Sequence, residues 1–362
     1  MLTTFPIVLS LWLTNTWYTG HLPINSNRPY DRFGKQYKVT SVIDDNGFYD
    51  QAAYEAYSPL YLSASQAFLY GSFFAVYPAT LAHALLIYAV TNQEVTLNVL
   101  TEFIGGVLFP GNALAMNMFK SYGYVVTARA LRFASDLKLG HYTKINPRVL
   151  FISQTVATVI STLIAMSIMN WQVNSIRDVC TPQAQAKFTC PGTSTFFTAS
   201  VIWGTLGPIK MYGPDGPYNI LLWGFLVGAA LPVIFFFLAK QFPSSNFVRG
   251  IHAPIFLAGG LNWAPYNLSH TWPAVVIGYI FQVYIRKRYL GWWQKYNYML
   301  TSSLTCGVAI AAVVTFFALQ WSGVEIDWRG NSVVSEGCDG KGCPLLPVPE
   351  KGYWGPGPGE FR

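Results

Sequence analysis

Long stretches without a charged side chain recur along the sequence and determine its predicted elements. Between Arg148 and Arg177 there are 28 uncharged residues, and comparable gaps follow almost to the C-terminus. A helix needs about 20 apolar residues to cross the hydrocarbon layer of a bilayer, where only intrahelical hydrogen bonds satisfy the backbone. The pattern therefore predicts helices that span a membrane.

Taken together, the apolar stretches predict an all-α, polytopic transmembrane helical bundle, formed as a single domain over residues 1–321. We expect about seven or eight membrane segments. A helix fragment lies within 1–18, one helix within 56–93, and full spans lie at 149–171, 219–238 and 298–321. Shorter segments, which Gly and Pro interrupt and which could be broken or re-entrant, lie at 103–119 and 195–209. Residues 251–284 have room for two pieces, a short broken one that ends near Pro265 and a second one at 271–284.

Polar stretches separate these segments. Residues 19–57 are expected to form an extramembrane loop, and residues 322–362 form a hydrophilic tail rich in Gly and Pro. Lys and Arg cluster at 120–148 and again at 286–295, and short loops with such an excess face the cytoplasm. The loop at 172–194 then faces the other side, where Cys180 and Cys190 could pair in an oxidising compartment.

Composition agrees with a lipid environment. Hydrophobic residues make up 52% of the chain and charged residues only 11%, against roughly 25% charged in a typical soluble domain. The net charge of +7 does not indicate a nucleic-acid partner, because the basic residues lie in short blocks between apolar spans instead of along one face.

Several ordered sequence pieces resemble the oligopeptide transporter (OPT) family. The run SDLKLGHYTKINPR at 135–148 is similar to a family signature that ends in Lys-Ile-Pro-Pro-Arg. Other matching pieces are TNTWY at 14–18, YSPLY at 57–61, TNQE at 91–94, FPG at 109–111, SVIWG at 200–204 and WWQKYNY at 292–298. The tail, with Trp328, Gly330, Asn331, Cys338 and Cys343, is similar to the fungal peptide-transporting branch.

This resemblance covers nearly the whole chain, with three departures. Asn146 replaces the first proline of the motif formed here by Lys144, Ile145, Asn146, Pro147 and Arg148, and we expect a small effect because Asn tolerates turn geometry. The family's N-terminal half has no counterpart. A second gap falls near 87–90, where family members carry a long cytoplasmic loop and additional helices, so one helix here could be a fusion of two.

The resemblance implies proton-coupled secondary transport of small oligopeptides, with H⁺ as the coupling ion and no other cofactor, in the plasma membrane or an internal one. Glutathione-type peptides and the metal chelates of a related branch stay open as substrates. The alternative is a truncated, non-transporting membrane protein or fragment. The oligomeric state stays open, and the lipid bilayer and a small peptide are the expected partners.

Transport needs polar groups at broken helices near the middle of the membrane. The candidate is residues 102–120, where Gly105, Gly106, Pro110, Gly111 and Asn112 can interrupt a helix. Glu102 begins this segment, and a carboxylate at membrane depth is costly unless it is paired or protonated, which makes it a candidate H⁺ site. The alternative is that Glu102 caps a helix at the membrane interface.

Other candidates have simpler alternatives. His83 could relay a proton, or it anchors a helix end at the interface. The block of Lys138, His141, Lys144 and Arg148 could attract a peptide carboxylate, or it only sets topology; a gating role for this loop is implied by the family resemblance. A second glycine-rich set at 204–217 could line the pathway or allow close helix packing.

The sequence shows no motif that is typical of an enzyme active site. The five histidines are scattered along the sequence, and none combines with a Cys at the spacing of a zinc site. Neither glycine-rich set matches the sequence of a phosphate-binding loop. We therefore expect neither catalysis nor a bound metal. Cys338 and Cys343 flank a tight Gly-rich loop that a disulfide could close.

Overall fold

In the computed structural model of the chain, the described residues form helices joined by turns and irregular segments, with isolated β-bridges and no β-strand. The described residues are 4–80, 97–181, 190–245, 248, 250–251, 253–261, 268–324, 326, 328–332, 336 and 343–361. The chain divides into two compact units. The first comprises Met1–Ile168, Gly192–Pro265 and Cys343–Arg362, and the second comprises Met169–Pro191 and Tyr266–Gly342.

The first unit contains the helices that position the site described below. They are α1 (Thr4–Leu13), α2 (Gln51–Tyr57), α3 (Ala64–Thr80), α4 (Asn98–Leu108), α5 (Ala113–Lys120), α6 (Val126–Tyr142), most of α7 (Pro147–Ser175), α8 (Pro191–Ala199), α9 (Pro208–Tyr212), α10 (Trp223–Gln241) and α11 (Ala253–Leu261). π-Helical segments at Ser121–Val125 and Ser200–Leu206 continue α5 and α8, and short 3₁₀ turns lie at Thr16–His21, Val39–Ser41 and Asn219–Leu222.

In the second unit the main element is one long helix. Its elements are α12 (Leu268–Gly278), a π-helical segment (Tyr279–Ile285), α13 (Arg286–Arg288), α14 (Leu290–Thr315), a second π-helical segment (Phe316–Gln320) and α15 (Arg329–Ser332). A disulfide joins Cys180 to Cys190.

Three helices of the described chain are long and apolar enough to cross a membrane: Pro147–Ser175, Asn219–Gln241 and Leu290–Leu319. They match the three full spans expected from the sequence. Large apolar side chains along them, such as Leu163, Phe236 and Val308, are more than half exposed, which suits contact with lipid and not with water. Shorter apolar helices cover Asn98–Leu108 and Thr195–Leu206. The count of seven or eight segments stays a prediction.

Small residues let α10 lie directly against α3. A Cβ atom added to Gly228 would collide with the backbone of Ala75, and one added to Gly224 would lie 2.8 Å from the carbonyl oxygen of Gly71. Lipid provides no hydrophobic drive for helix association, so close packing of this kind holds helices together. Aromatic side chains fill the adjacent core, where Phe74 stacks on Phe225 with ring centroids 4.9 Å apart.

Two polar regions differ from the sequence-based expectation. Residues 120–148, expected to be a loop, are helical as far as Tyr142, because Ala, Leu, Arg and Lys dominate 126–142 and all favour helices. Only 143–146 form the turn before α7. In addition, residues 343–361 of the hydrophilic tail pack within the first unit against the polar loop, with the Trp354 ring stacked on His21.

Candidate functional site

The segment around Pro110 forms a helical hairpin. Helix α4 ends at Leu108, residues 109–112 turn, and α5 runs back. Gly111 adopts a φ of 77°, a left-handed conformation that glycine reaches without strain. The Asn112 side chain accepts a hydrogen bond of 3.0 Å from the backbone N–H of Ala115, which caps α5. The helix break expected here is therefore present.

Gly105 and Gly106 are buried and serve close packing. A Cβ on Gly106 would collide with the carbonyl oxygen of Trp203 and lie 2.6 Å from the ring of Pro208, whereas a Cβ on Gly105 would lie 3.0 Å from Phe119 in the other arm of the hairpin. The first glycine pair thus lets the hairpin touch the second glycine-rich segment and lets its own arms approach.

The second glycine-rich set also breaks a helix. The π-helical segment Ser200–Leu206 ends at Gly207, whose φ is 83°, and α9 begins with Pro208 at its first turn. A Cβ on Gly204 would lie 2.5 Å from Cα of Ala113. The contacts of Gly204 are therefore those of close helix packing.

Glu102 and Lys120 form a buried ion pair across the open end of the hairpin. The Lys120 Nζ lies 2.5 Å from the Glu102 Oε1, and the two side chains are 5% and 3% exposed. The Asn98 amide donates a 3.1 Å hydrogen bond to the same carboxylate oxygen. Lys120 Nζ also lies 4.7 Å from the centroid of the Phe196 ring. A buried carboxylate and a buried ammonium thus neutralise each other.

This geometry bears on the helix-cap alternative for Glu102. Helix α4 begins at Asn98, so Glu102 lies in its second turn, and its partners are side chains instead of the free N–H groups at the helix start. Glu102 is therefore not a helix cap. Lys120, which the sequence places in the basic cluster expected to face the cytoplasm, has its side chain buried against Glu102.

Aromatic residues form the buried core that includes Val99 of α4 and Met116 of α5. Trp203 stacks on Tyr212 with centroids 5.3 Å apart, and Tyr70 meets Trp203 edge-on at 5.2 Å. Among the described residues, Gln66 Oε1, Asn117 Oδ1 and the Tyr212 hydroxyl are buried without a hydrogen-bond partner. Most buried polar atoms are paired, so such groups mark a place where a ligand can be bound.

Both helix breaks contact the polar loop. A Cβ on Gly111 would lie 3.2 Å from Cβ of Tyr49. Lys210, in α9, donates a hydrogen bond to Gln51 Oε1 and lies 4.8 Å from the centroid of the Tyr49 ring. Tyr49, just before α2, and Gln51, its first residue, thus contact both broken helices.

The motif formed by Lys144 to Arg148 is an exposed turn between α6 and α7. Lys144 has a φ of 57°, and the Asn146 side chain accepts a 3.0 Å hydrogen bond from the N–H of Arg148. Pro147 occupies the first position of α7. Asn146 therefore acts as a helix cap, which explains why Asn fits where the family motif has proline.

Several candidates lie elsewhere or outside the described residues. His83 and Cys338 fall outside them, so the proton-relay reading of His83 and the pairing of Cys338 with Cys343 stay predictions. His141 and the basic residues near it remain at the α6–α7 turn, away from the buried pair. Within the described part of the chain, no cluster of His, Cys, Asp and Glu has the composition of a metal site.

Sequence reasoning missed the partners of Glu102. Asn98 is four residues before it on one helix, and this spacing was a usable signal. Lys120 is 18 residues away, a separation that only the hairpin turn makes into a contact, and no periodicity reveals it. Tyr70, Trp203 and Tyr212 look like ordinary core residues in the sequence.

Comparison with known proteins adds the family. The sequence profile of the OPT oligopeptide transporter protein family matches residues 1–89 and 82–319. The chain belongs to the OPT family. The two matches meet near the site where the sequence resemblance places an internal gap.

Similar proteins from plants and fungi are named oligopeptide or glutathione transporters. The chain is 31% identical to Oligopeptide transporter 5 of Arabidopsis thaliana, over 96% of this chain and 58% of that protein. It is 31% identical to Glutathione transporter 1 of Schizosaccharomyces pombe, over 93% of this chain and 49% of that protein. It is 28% identical to Oligopeptide transporter 2 of Saccharomyces cerevisiae, over 98% of this chain and 52% of that protein.

The OPT chain therefore spans about half the length of the curated relatives it matches. The first of these alignments runs over 441 residues, more than the 362 of the chain, so it includes segments that this chain lacks. No solved structure gives a significant match.

Proposed function

We propose that this OPT family chain moves small oligopeptides across a membrane by secondary transport coupled to H⁺, with Glu102 as the proton-accepting group. The observation that carries the proposal is the buried pair of Glu102 and Lys120 inside a broken helical hairpin. Relatives named as oligopeptide transporters support the substrate class.

The pair matches the chemistry of the cargo. A free peptide carries a carboxylate at one end, and Lys120 supplies the complementary charge once a proton on Glu102 releases it. Trp203 and Tyr212 belong to the buried core that includes Val99 of α4 and Met116 of α5. Asn117 lies in α5 and Gln66 donates a hydrogen bond to Tyr70 of the same core, and both have a partnerless side-chain oxygen. They offer apolar surface for side chains and hydrogen bonds for the peptide backbone.

Protonation would change what the pair can bind. While Glu102 is ionised, it holds Lys120 at 2.5 Å. A proton on Glu102 removes the carboxylate charge, and Lys120 is then free to bind the carboxylate of a peptide. Substrate and proton would thus bind together, which is the requirement for symport, because each favours the same state of the site.

Two further features belong to the proposal. The fission yeast relative is named a glutathione transporter, and glutathione is a tripeptide, so it is the first substrate to test. The disulfide between Cys180 and Cys190 requires an oxidising compartment, which suits a loop outside the cell and a location in the plasma membrane.

The test is uptake by the purified chain in liposomes. We expect glutathione or a labelled tripeptide to accumulate only when the outside is more acidic than the interior. Glu102→Gln should abolish this dependence on the gradient while the protein still inserts. The matched control is Glu350→Gln, which changes an exposed carboxylate in the same way.

Three results would count against the proposal. Uptake that does not depend on the pH gradient would refute coupling to H⁺. An unchanged dependence on the gradient in Glu102→Gln would refute the role of Glu102 as the proton-accepting group. No uptake by an inserted, helical chain would favour the non-transporting alternative.

A further inference from the structure

The C-terminal residues 343–361, called the tail here, lie on the polar loop as a bound peptide would. The N–H of Leu346 donates a 2.9 Å hydrogen bond to the carbonyl of Gly20, and the N–H of Trp354 donates one of 3.3 Å to the carbonyl of Arg32. The N–H of Gly359 donates one of 3.3 Å to the carbonyl of Glu55. Backbone hydrogen bonds of this kind are how proteins bind extended peptides.

Aromatic side chains anchor the tail. Trp354 is buried, with its ring stacked on His21 at 4.8 Å and its centroid 6.2 Å from that of Tyr61. Phe361 meets the Tyr54 ring edge-on at 5.3 Å. The surface that receives these groups, called the tail-binding surface below, consists of Gly20, His21, Arg32, Tyr54, Glu55 and Tyr61.

Arg32 lies buried at the centre of this surface without an anionic partner. Its guanidinium is 5.1 Å from the ring centroid of Tyr353 and 4.9 Å from that of Phe361. Its Nε and Nη2 atoms have no hydrogen-bond partner, and among the described residues no carboxylate is close enough for an ion pair. Buried charges are normally paired, since an unpaired one loses its hydration without compensation.

The neighbouring carboxylate of Asp31 does not pair with Arg32 and instead binds its own loop. Asp31 accepts hydrogen bonds of 2.9 Å from the backbone N–H groups of Phe33 and Lys35 and one of 2.9 Å from the Tyr57 hydroxyl. The hydroxyl of Tyr61 is a second buried polar group without a partner. Trp354 connects this hydroxyl-bearing residue to Arg32, since its ring centroid lies 6.2 Å from that of Tyr61 and its N–H donates to the Arg32 carbonyl.

We propose that the tail-binding surface is a binding site for short peptides that carry an aromatic residue next to a free C-terminal carboxylate, and that the tail occupies this site until such a peptide displaces it. The carboxylate would bind Arg32 and the Tyr61 hydroxyl, which the tail leaves unpaired. Arg and a carboxylate form two parallel, charge-assisted hydrogen bonds, so a free peptide gains an interaction that the tail lacks. This goes beyond transport, since it concerns the polar loop and not the membrane segments.

The test measures binding to the purified chain shortened by residues 343–362, in detergent. The probe is a fluorescent peptide with the sequence of 344–361, which ends at Phe361 with a free carboxylate. The control is the same peptide with a C-terminal amide. By fluorescence anisotropy we expect the acid to bind at least about tenfold more tightly than the amide.

Matched variants assign the effect to one residue. Arg32→Gln should reduce the affinity for the acid to that for the amide. Arg28→Gln removes an exposed arginine of the same loop and should leave the preference for the acid unchanged. Equal binding of acid and amide, or an unchanged preference in Arg32→Gln, would overturn the proposal.

A second variant keeps the proposal testable if the shortened chain does not fold. Phe361→Ala in the full chain removes one ring beside Arg32 and loosens the tail without deleting it. The attached tail then competes with the probe, so both affinities fall, but the acid must still bind more tightly than the amide. A folded Phe361→Ala chain that binds neither peptide, or that binds the acid no more tightly than the amide, would overturn the proposal too.

Discussion

Removing one charge of the buried pair should damage the fold more than removing both. Lys120→Met keeps the length of the side chain and deletes the ammonium group, which leaves the Glu102 carboxylate buried with Asn98 as its remaining hydrogen-bond donor. Glu102→Gln deletes the opposite charge and leaves Lys120 with the ring of Phe196. In the double variant neither charge remains.

The magnitude follows from the burial of the pair. Both side chains are at most 5% exposed, so water cannot stabilise the charge left behind. Breaking a buried ion pair by removing one partner costs about 3–5 kcal/mol, whereas replacing both partners by uncharged groups is often close to neutral. We expect either single variant to lose about 3 kcal/mol or more of folding free energy, and the double variant to regain most of that loss.

The assay is thermal or denaturant unfolding of the four proteins in one detergent, followed by circular dichroism, with the coupling energy taken from the double-mutant cycle. A coupling near zero, in which the double variant is as unstable as the sum of the two single ones, would refute the reasoning. It would mean that the two charges do not depend on each other for their burial.

Three further predictions concern other parts of the molecule. Gly106→Ala should destabilise the chain by about 1–3 kcal/mol, because the added Cβ would collide with the backbone of Trp203. Gly307 has open space around it, so Gly307→Ala should leave the stability unchanged. Equal melting temperatures for the two variants would contradict this. Burial raises the pKa of Tyr57 to about 12. The contribution of Tyr57 to the stability of the polar loop should therefore be complete below about pH 10 and fall as the pH rises towards 12. Limited proteolysis measures this loss, and Tyr57→Phe should remove part of it. A tag inserted near Lys138 should be accessible from the cytoplasm and one within 180–190 from the opposite side, and protease protection in the reverse pattern would contradict the basic-cluster argument.

Much of the helical framework follows from the sequence alone. The uncharged gaps located all three long apolar helices, because a span needs a fixed length of apolar side chains whatever its partners are. The helix breaks near Pro110 and Gly207 were also predictable, since Pro lacks a donor and Gly favours turns. These features depend on local chemistry only.

The site depended on contacts between distant parts of the chain. Lys120 looks like any other lysine of a basic block, and only the hairpin brings it to Glu102. The positive-inside rule counts Lys120 only as one charge of a cytoplasmic block, because it does not distinguish buried from exposed residues. The position of the tail on Arg32 was equally hidden, since rings and guanidinium come from opposite ends of the sequence.

The balance of charge in the Glu102–Lys120 pair has an electrical consequence. As an intact pair it carries no net charge, so a membrane voltage exerts no net force on it. One bound proton leaves a single positive charge at the same place, and moving such a charge across the full membrane is worth about 2.3 kcal/mol per 100 mV. A site built in this way would respond to voltage only in its protonated form.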